Sequence, residues 1–262
     1  MSSIVTDQGI VHYETYGSGA PVILLHGWLG SWGLWRPTME ALGGQYRCYA
    51  LDFWGFGESG KKRDSYAVSD FMALVAQFME ALGIEKAPLV GHSMGGTTAL
   101  GTAIRTPERV TKVCVIGSPI VGSSLALLLQ LAGVPWIGSL VRRLPGALKL
   151  GVRLYAPRIT RKPKEWYPVI ARDISATTAA SFFSSIGSLR RTDLRPRLHE
   201  VLVPTLGIYG MRDVIVHPKQ YAPLQAGVKQ ACVAIMSNSG HFPMLDEPEA
   251  YLSHIKSFLD GP

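Results

Sequence analysis

Ser93 stands in Gly91-His92-Ser93-Met94-Gly95-Gly96, with the smallest residue two places before it and two places after. Glycine weakens regular structure, so its crowding here has to serve a close approach of backbone. An apolar run, Pro88 to Val90, precedes the serine, and a helical pattern begins near Met94. A chain that turns this sharply from strand into helix strains the turn residue and presents its side chain at the tip. It also leaves the N–H of Met94 at a helix N-terminus, where partial positive charge favours an anion. Ser93 is therefore a candidate nucleophile for acyl transfer, and the Met94 amide a candidate donor to the oxyanion.

A serine hydroxyl needs a base to take its proton, and the chain offers seven histidines. His92 neighbours Ser93, so its side chain should point elsewhere, and His26 in "LLHGWLG" should shape its own loop. His12, His199, His217 and His254 fall in an edge hairpin, a connecting segment, a helix start and a helix flank. His241 differs. It lies in "SGHFPMLDEPE", between the last strand-like run and the last helical pattern, at the same sheet edge as Ser93. It is the expected base. Asp213, after "TLGIYGMR", closes the next-to-last strand and is expected to orient that base. Such an aspartate is often only a helix cap, but the competing position after Val110 to Ile116 carries Gly117-Ser118-Pro119 and no acid. The second oxyanion donor is expected from the loop after Val22 to Leu25, where "HGW" supplies the N–H of Trp28.

These residues need elements that bring them to one edge. Short apolar runs recur at Val11 to Tyr16, Val22 to Leu25, Arg47 to Leu51, Pro88 to Val90, Val110 to Ile116, Thr205 to Tyr209 and Cys232 to Met236. Several are continuous, as strands covered on both faces require, and helical patterns lie between them. The alternation predicts an α/β fold with a mostly parallel, doubly wound sheet, whose ligands bind beyond the carboxyl ends of its strands. Ser69 is expected to cap a helix carrying Leu74, Val75, Phe78 and Leu82 on one side, with Gly83 at its stop. The first two runs, joined by Gly17-Ser18-Gly19, predict an antiparallel hairpin at one edge. The alternation fails from Pro119 to Arg190, which reads as a helical insertion. The expected division is a core of residues 1–118 and 191–262 with an insertion at 119–190.

Composition narrows the function classes. Hydrophobic residues make up 47% and charged residues 17% of the 262, the balance of a compact fold. The net charge of +7 is uneven: Pro119 to Glu200 holds 13 Lys and Arg against 4 Asp and Glu, so the remainder is slightly acidic. No nucleic-acid motif accompanies the basic segment, so it reads as a solvated cationic face and no nucleic-acid partner is expected. Cys48, Cys114 and Cys232 are widely separated, which fits three buried thiols in a reducing compartment rather than disulfides or a metal site. With no signal-peptide pattern over residues 1–12, a cytoplasmic location is expected, and no cofactor is implied. Val113 to Val141 carries no charge, but Gly117, Pro119, Gly122, Gly133, Pro135 and Gly138 interrupt it, so no stable membrane insertion is expected.

The sequence resembles the α/β-hydrolase-fold serine esterases over nearly its whole length. The resemblance rests on "HGW" at His26, "LDFWGFGES" from Leu51, "GHSMGG" at Gly91, "GMRD" ending at Asp213 and "SGHFPMLDEPE" from Ser239, in family order. The order Ser93, Asp213, His241 is the one that this fold uses. By resemblance, Asp52 pins a structural turn, and residues 119–190 form a helical cap that roofs the site and governs selectivity. Leu125, Leu127, Leu128, Leu129, Leu131 and Trp136 are candidates to line an apolar pocket under it. The implied activity is carboxylesterase action on a small-molecule ester with a small to medium apolar acyl group. Carbon–carbon bond hydrolysis and a non-catalytic binding role on the same fold are the alternatives. Dehalogenase and epoxide hydrolase chemistry would place an aspartate at position 93.

Overall fold

A computed structural model describes residues 2–6, 9–62, 65–132 and 145–261. Its strands are β1 (Ser2–Thr6), β2 (Gly9–Tyr16), β3 (Ala20–Leu25), β4 (Tyr46–Leu51), β5 (Ala87–His92), β6 (Val110–Ile116), β7 (Thr205–Gly210) and β8 (Ala231–Met236). They form one sheet in the order β1-β2-β4-β3-β5-β6-β7-β8, antiparallel at β1, β2 and β4 and parallel from β4 to β8. This is the expected doubly wound α/β architecture.

The continuous apolar runs follow from coverage on both faces. Successive strand residues point to opposite sides. Ile23, Leu25, Leu89, Val113 and Val115 enter one core, against α2 (Val68–Ala81) and α3 (Met94–Arg105). Val22, Leu24, Val90, Cys114 and Ile116 enter the other, against α1 (Arg36–Leu42) and the last helix (Pro248–Asp260). A polar residue at either parity is buried and needs a partner, as His92 at the end of β5 finds in His241 O and Thr205 at the start of β7 in Val203 O.

Three local expectations are corrected. The edge hairpin is β1 with β2, not β2 with β3. Tyr13 to Tyr16 pair with Leu51 to Cys48, and β4 separates β2 from β3. The glycine pair reverses the chain, yet long-range pairing chose the neighbour. A side chain on Gly17 would overlap Gly43 and the carbonyl of Tyr46, so its φ of +86° also serves this close passage. Ser69 is not the cap of α2. The helix starts at Val68, and Asp70 reaches back to the N–H of Ala67 at 2.9 Å, because alanine has no capping group of its own. The far end is as read: Gly83 takes φ +65°, its N–H bonds Glu80 O, and Ile84 N–H bonds Met79 O. Cys232 is exposed on edge strand β8, whereas Cys48 and Cys114 are buried. Burial pushes the Cys48 thiol up to about 12, so it is inert.

Between β6 and β7 the described chain forms α4 (Leu127–Ala132), α5 (Pro145–Ile159), α6 (Pro163–Ala176) and α7 (Ala179–Arg191). After β7 come α8 (Tyr221–Gly227), α9 (Pro243–Asp246) and α10 (Pro248–Asp260). Among the described residues no helix is long and apolar enough to cross a membrane. Polar links tie the inserted helices to the core. Ser181 Oγ donates to Gly55 O at 2.8 Å, Val68 N to Ser188 Oγ at 3.0 Å, and Ser31 Oγ to Asp173 Oδ1 at 3.0 Å. Of the residues proposed to line a pocket, Leu125 is buried and Leu129 packs against the core, but Leu127 faces solvent at 70% exposure. Trp136 and the side chains of Leu128 and Leu131 lie outside the described residues.

Asp173 makes the docking of α6 sensitive to pH. Burial raises its pKa to about 6 from 3.8, against the opposing pull of Ser31 and Arg172. The folded state therefore holds this proton more tightly than the unfolded state does. The resulting stability is present below pH 3.8 and is lost as the pH rises through about 6. Asp173→Asn should accordingly raise the unfolding free energy at pH 8 by up to roughly 3 kcal/mol, read as a higher urea midpoint, and leave both nearly unchanged at pH 4. Equal effects at both values would show that the carboxyl is not the strained group.

Candidate active site

Ser93 occupies the one residue between β5 and α3. Its φ of +50° and ψ of −119° lie where a side chain is disfavoured, and only Leu29 shares a positive φ among the described non-glycine residues. Such strain costs about 1–3 kcal/mol and persists only where the surroundings enforce it. Here Ser93 N–H is held by Ile116 O at 2.8 Å, and Ser93 O accepts from Gly96 and Thr97. The glycines answer for the close approach. A Cβ on Gly91 would overlap the Gly95 carbonyl, and one on Gly95 would overlap Leu25 O. A Cβ on Gly96 would meet Ser118 Oγ, a third requirement the spacing did not reveal.

Asp213 follows β7 with both carboxylate oxygens engaged. Oδ1 accepts from Ile215 N at 2.8 Å and Val216 N at 2.9 Å, and Oδ2 lies 2.7 Å from His241 Nδ1. An ionised carboxylate only accepts, so Nδ1 of a neutral His241 carries the proton and Nε2 keeps its lone pair. His241 is 5% exposed and Ser93 also 5%. A Cβ on Gly117 would sit 3.3 Å from His241 Nδ1 and 3.4 Å from Asp213 Oδ2, so that glycine backs the pair. Among the described residues no hydrogen bond joins Ser93 Oγ to His241 Nε2. Catalytic hydrogen bonds are often long in a ligand-free site and tighten when substrate binds.

The backbone of His241 is clamped from two sides. Its N–H donates to Ile159 O at 2.9 Å, from the C-terminal end of α5, and its carbonyl accepts from His92 Nε2 at 2.8 Å. Asp246 accepts from Gly240 N at 2.7 Å and from Thr160 Oγ1 at 2.5 Å, and Glu247 Oε2 accepts from Ser239 Oγ at 2.6 Å. Asp246 and Glu247 of "LDEPE" therefore fix the loop that bears the imidazole. Their position five and six residues after His241 was the only signal, and spacing alone did not assign them.

His92 also does more than turn away. Its ring lies 4.7 Å from those of His241 and Phe242. Burial, with His241 nearby, drives its pKa well below the usual range, so it stays neutral. Its Nε2–H serves His241 O and its Nδ1 is buried without a partner. His26 is likewise neutral through burial, donating from Nδ1 to Gly27 O at 2.7 Å and accepting from Phe53 N at 2.9 Å. It shapes the loop that carries Trp28. Asp52 pins the adjoining turn by accepting from Trp32 N at 2.7 Å and Glu58 N at 2.9 Å.

Neither the Trp28 nor the Met94 N–H is spent on a backbone acceptor among the described residues. Trp28 has a second tie: its Nε1 donates to Phe182 O at 3.1 Å and its ring packs 4.5 Å from that of Phe182 on α7. A cavity of about 490 Å³ abuts the acid end of the constellation, lined in part by Leu125, Asp213, Val214, Ile215 and His217. Among the described residues no group of three or more His, Cys, Asp or Glu could hold a metal ion.

Comparison with known proteins bears on this arrangement. The model of the alpha/beta hydrolase fold family matches residues 20–248. The chain belongs to this family. Carboxylesterase YbfK of Bacillus subtilis is 29% identical over 252 residues, which cover 92% of this chain and 80% of that one. The pimeloyl-[acyl-carrier protein] methyl ester esterase of Aliivibrio salmonicida is 24% identical over 263 residues, covering 95% of each. The solved esterase from Exiguobacterium antarcticum superposes with a TM-score of 0.88 at 20% identity over 99% of both chains, a likeness of fold. The chain thus has the α/β-hydrolase fold, and the relatives it resembles include proteins named as a carboxylesterase and a methyl ester esterase.

Proposed function

We propose that the protein is a serine carboxylesterase that cleaves esters of small to medium apolar acyl groups through an acyl-enzyme. The observation that carries this reading is the 2.7 Å bond between His241 Nδ1 and Asp213 Oδ2 at the edge where Ser93 is presented. Ser93 Oγ attacks the ester carbonyl carbon while His241 Nε2 takes the hydroxyl proton. Asp213 holds the tautomer and stabilises the imidazolium. The N–H groups of Trp28 and Met94 receive the oxyanion, each donor lowering the barrier by about 3–4 kcal/mol. Collapse expels the alcohol, which takes its proton from His241. Water then attacks the acyl carbon, with His241 as base, and its collapse frees the acid and restores Ser93.

The helices of residues 119–190 act as the cap in this reading. The Trp28–Phe182 tie supports it, since it joins the oxyanion loop to α7. Incubation with p-nitrophenyl esters of graded acyl length tests the proposal. Turnover should be greatest with short and medium chains and fall with long ones. If none of these esters is hydrolysed by folded protein, the carboxylesterase reading fails.

A further inference from the structure

The cationic excess has a definite place. Residues 145–191 contain nine Lys and Arg against Glu165 and Asp173, a net of +7, while the rest of the chain balances 17 against 17. The whole net charge therefore sits on three inserted helices and the turns that join them. On α5 it meets exposed hydrocarbon. Leu150 is 57% exposed and Leu154 68% exposed, one helical turn apart. At about 100° per residue they share the middle of the solvent-facing side, with Arg153 on one flank and Arg158 on the other. The opposite side carries Ala156 and Ile159, both buried, and Val152 and Tyr155, packed against the core.

The cations of α5 are not matched by acids. The flanking Arg153 and Arg158 lie over the rings of Tyr167 and Tyr155, and Lys149, nearer the packed side, donates from Nζ to Ser175 Oγ at 2.7 Å. Among the described residues no carboxylate pairs with any of these three, whereas Arg195 and Arg197 beyond the insertion are each bonded to one. A helix with leucines central and cations at its borders has the distribution of an interfacial helix, whose apolar strip enters the headgroup boundary while its charges meet acidic lipid.

We propose that the outward face of α5 docks the protein reversibly on an anionic phospholipid surface. The charge selects the acidic headgroup, and Leu150 and Leu154 select a bilayer over a nucleic acid, whose phosphate backbone offers those side chains nothing apolar. Docking would set the inserted helices against the membrane through this face. The inference does not depend on the reaction proposed above.

Co-sedimentation of the full chain with phosphatidylcholine vesicles, with and without phosphatidylglycerol, tests it. Binding should require phosphatidylglycerol and weaken steeply as salt rises, since the Debye length shrinks from about 30 Å at 0.01 M to about 8 Å at physiological strength. Arg153→Gln and Arg158→Gln should each lower affinity by about fivefold. Leu150→Ser with Leu154→Ser should lower it about tenfold or more while keeping the salt dependence. Unchanged melting temperatures would show that both sets of variants stay folded, and the charge variants remain readable if the leucine pair does not. No binding at low salt overturns the proposal, and so does a leucine variant that binds as wild type. Displacement from vesicles by a DNA duplex that the leucine variant binds normally would assign the face to nucleic acid instead, which also overturns it.

Discussion

Ser93→Ala is expected to abolish labelling by a fluorophosphonate and to lower kcat on a short-chain p-nitrophenyl ester by about 10⁶-fold. The size follows from the mechanism. Without Oγ there is no acyl-enzyme, and the remaining groups act only by binding and by the two oxyanion donors, which together leave about 10³–10⁴-fold over water. The fold should survive. What holds residue 93 at φ +50° is backbone: its N–H on Ile116 O and its carbonyl beneath Gly96 and Thr97. Ser118→Ala is the control, because Ser118 Oγ is buried close to Gly96 and donates to Ile116 O. It should label and turn over as wild type. Stoichiometric labelling that persists in Ser93→Ala would place the nucleophile elsewhere.

What the sequence could reveal depended on whether the physics was local. Gly91 and Gly95 are legible because only a missing Cβ fits where Gly95 O and Leu25 O stand, and residue type states that directly. The alternating cores are legible because β3, β5 and β6 are apolar at both parities. Strand order was less so. Gly17 and Gly19 announce a reversal, but whether β2 then lies beside β3 or β4 is set by pairings across more than thirty residues. The same limit explains Leu127, whose type suggests a lining residue although α4 turns it to solvent. It also explains Cys232, exposed near the start of β8 although Ala234 and Met236 on the same face are buried, because what covers that end of the strand is not written in residue type.

The candidate site divides the same way. Ser93, Asp213 and His241 were legible because each follows a strand at one edge, and topology brings strand ends together. The groups that hold His241 were not. Ile159 O arrives from the insertion, His92 Nε2 from a ring judged only to turn away, and Asp246 through its bond to Gly240. Each acts on backbone, so its chemistry leaves no mark in spacing. A neutral, desolvated His92 also keeps a second positive charge away from the imidazolium that catalysis would form.

Asp213→Asn should lower kcat about 10⁴-fold with little change in KM. The amide oxygen can still accept from Ile215 and Val216, so the loop after β7 keeps its two bonds. The other atom becomes an N–H₂, which donates to Nδ1 instead of accepting from it. His241 must then carry its proton on Nε2, the nitrogen that should take the proton of Ser93, and the base is silenced without being moved. This is a defect of tautomer rather than of binding, which is why it falls on kcat. Asp213→Ala separates the two roles. It should lose activity at least as severely, and its stability should also fall, read as a lower urea midpoint, because the buried Val216 amide loses its acceptor at about 1–3 kcal/mol and the half-buried Ile215 amide loses its acceptor at a smaller cost. A variant Asp213→Asn with wild-type kcat and an intact fold would show that the acid orienting His241 is not needed for turnover, and the assignment of Asp213 would have to be withdrawn.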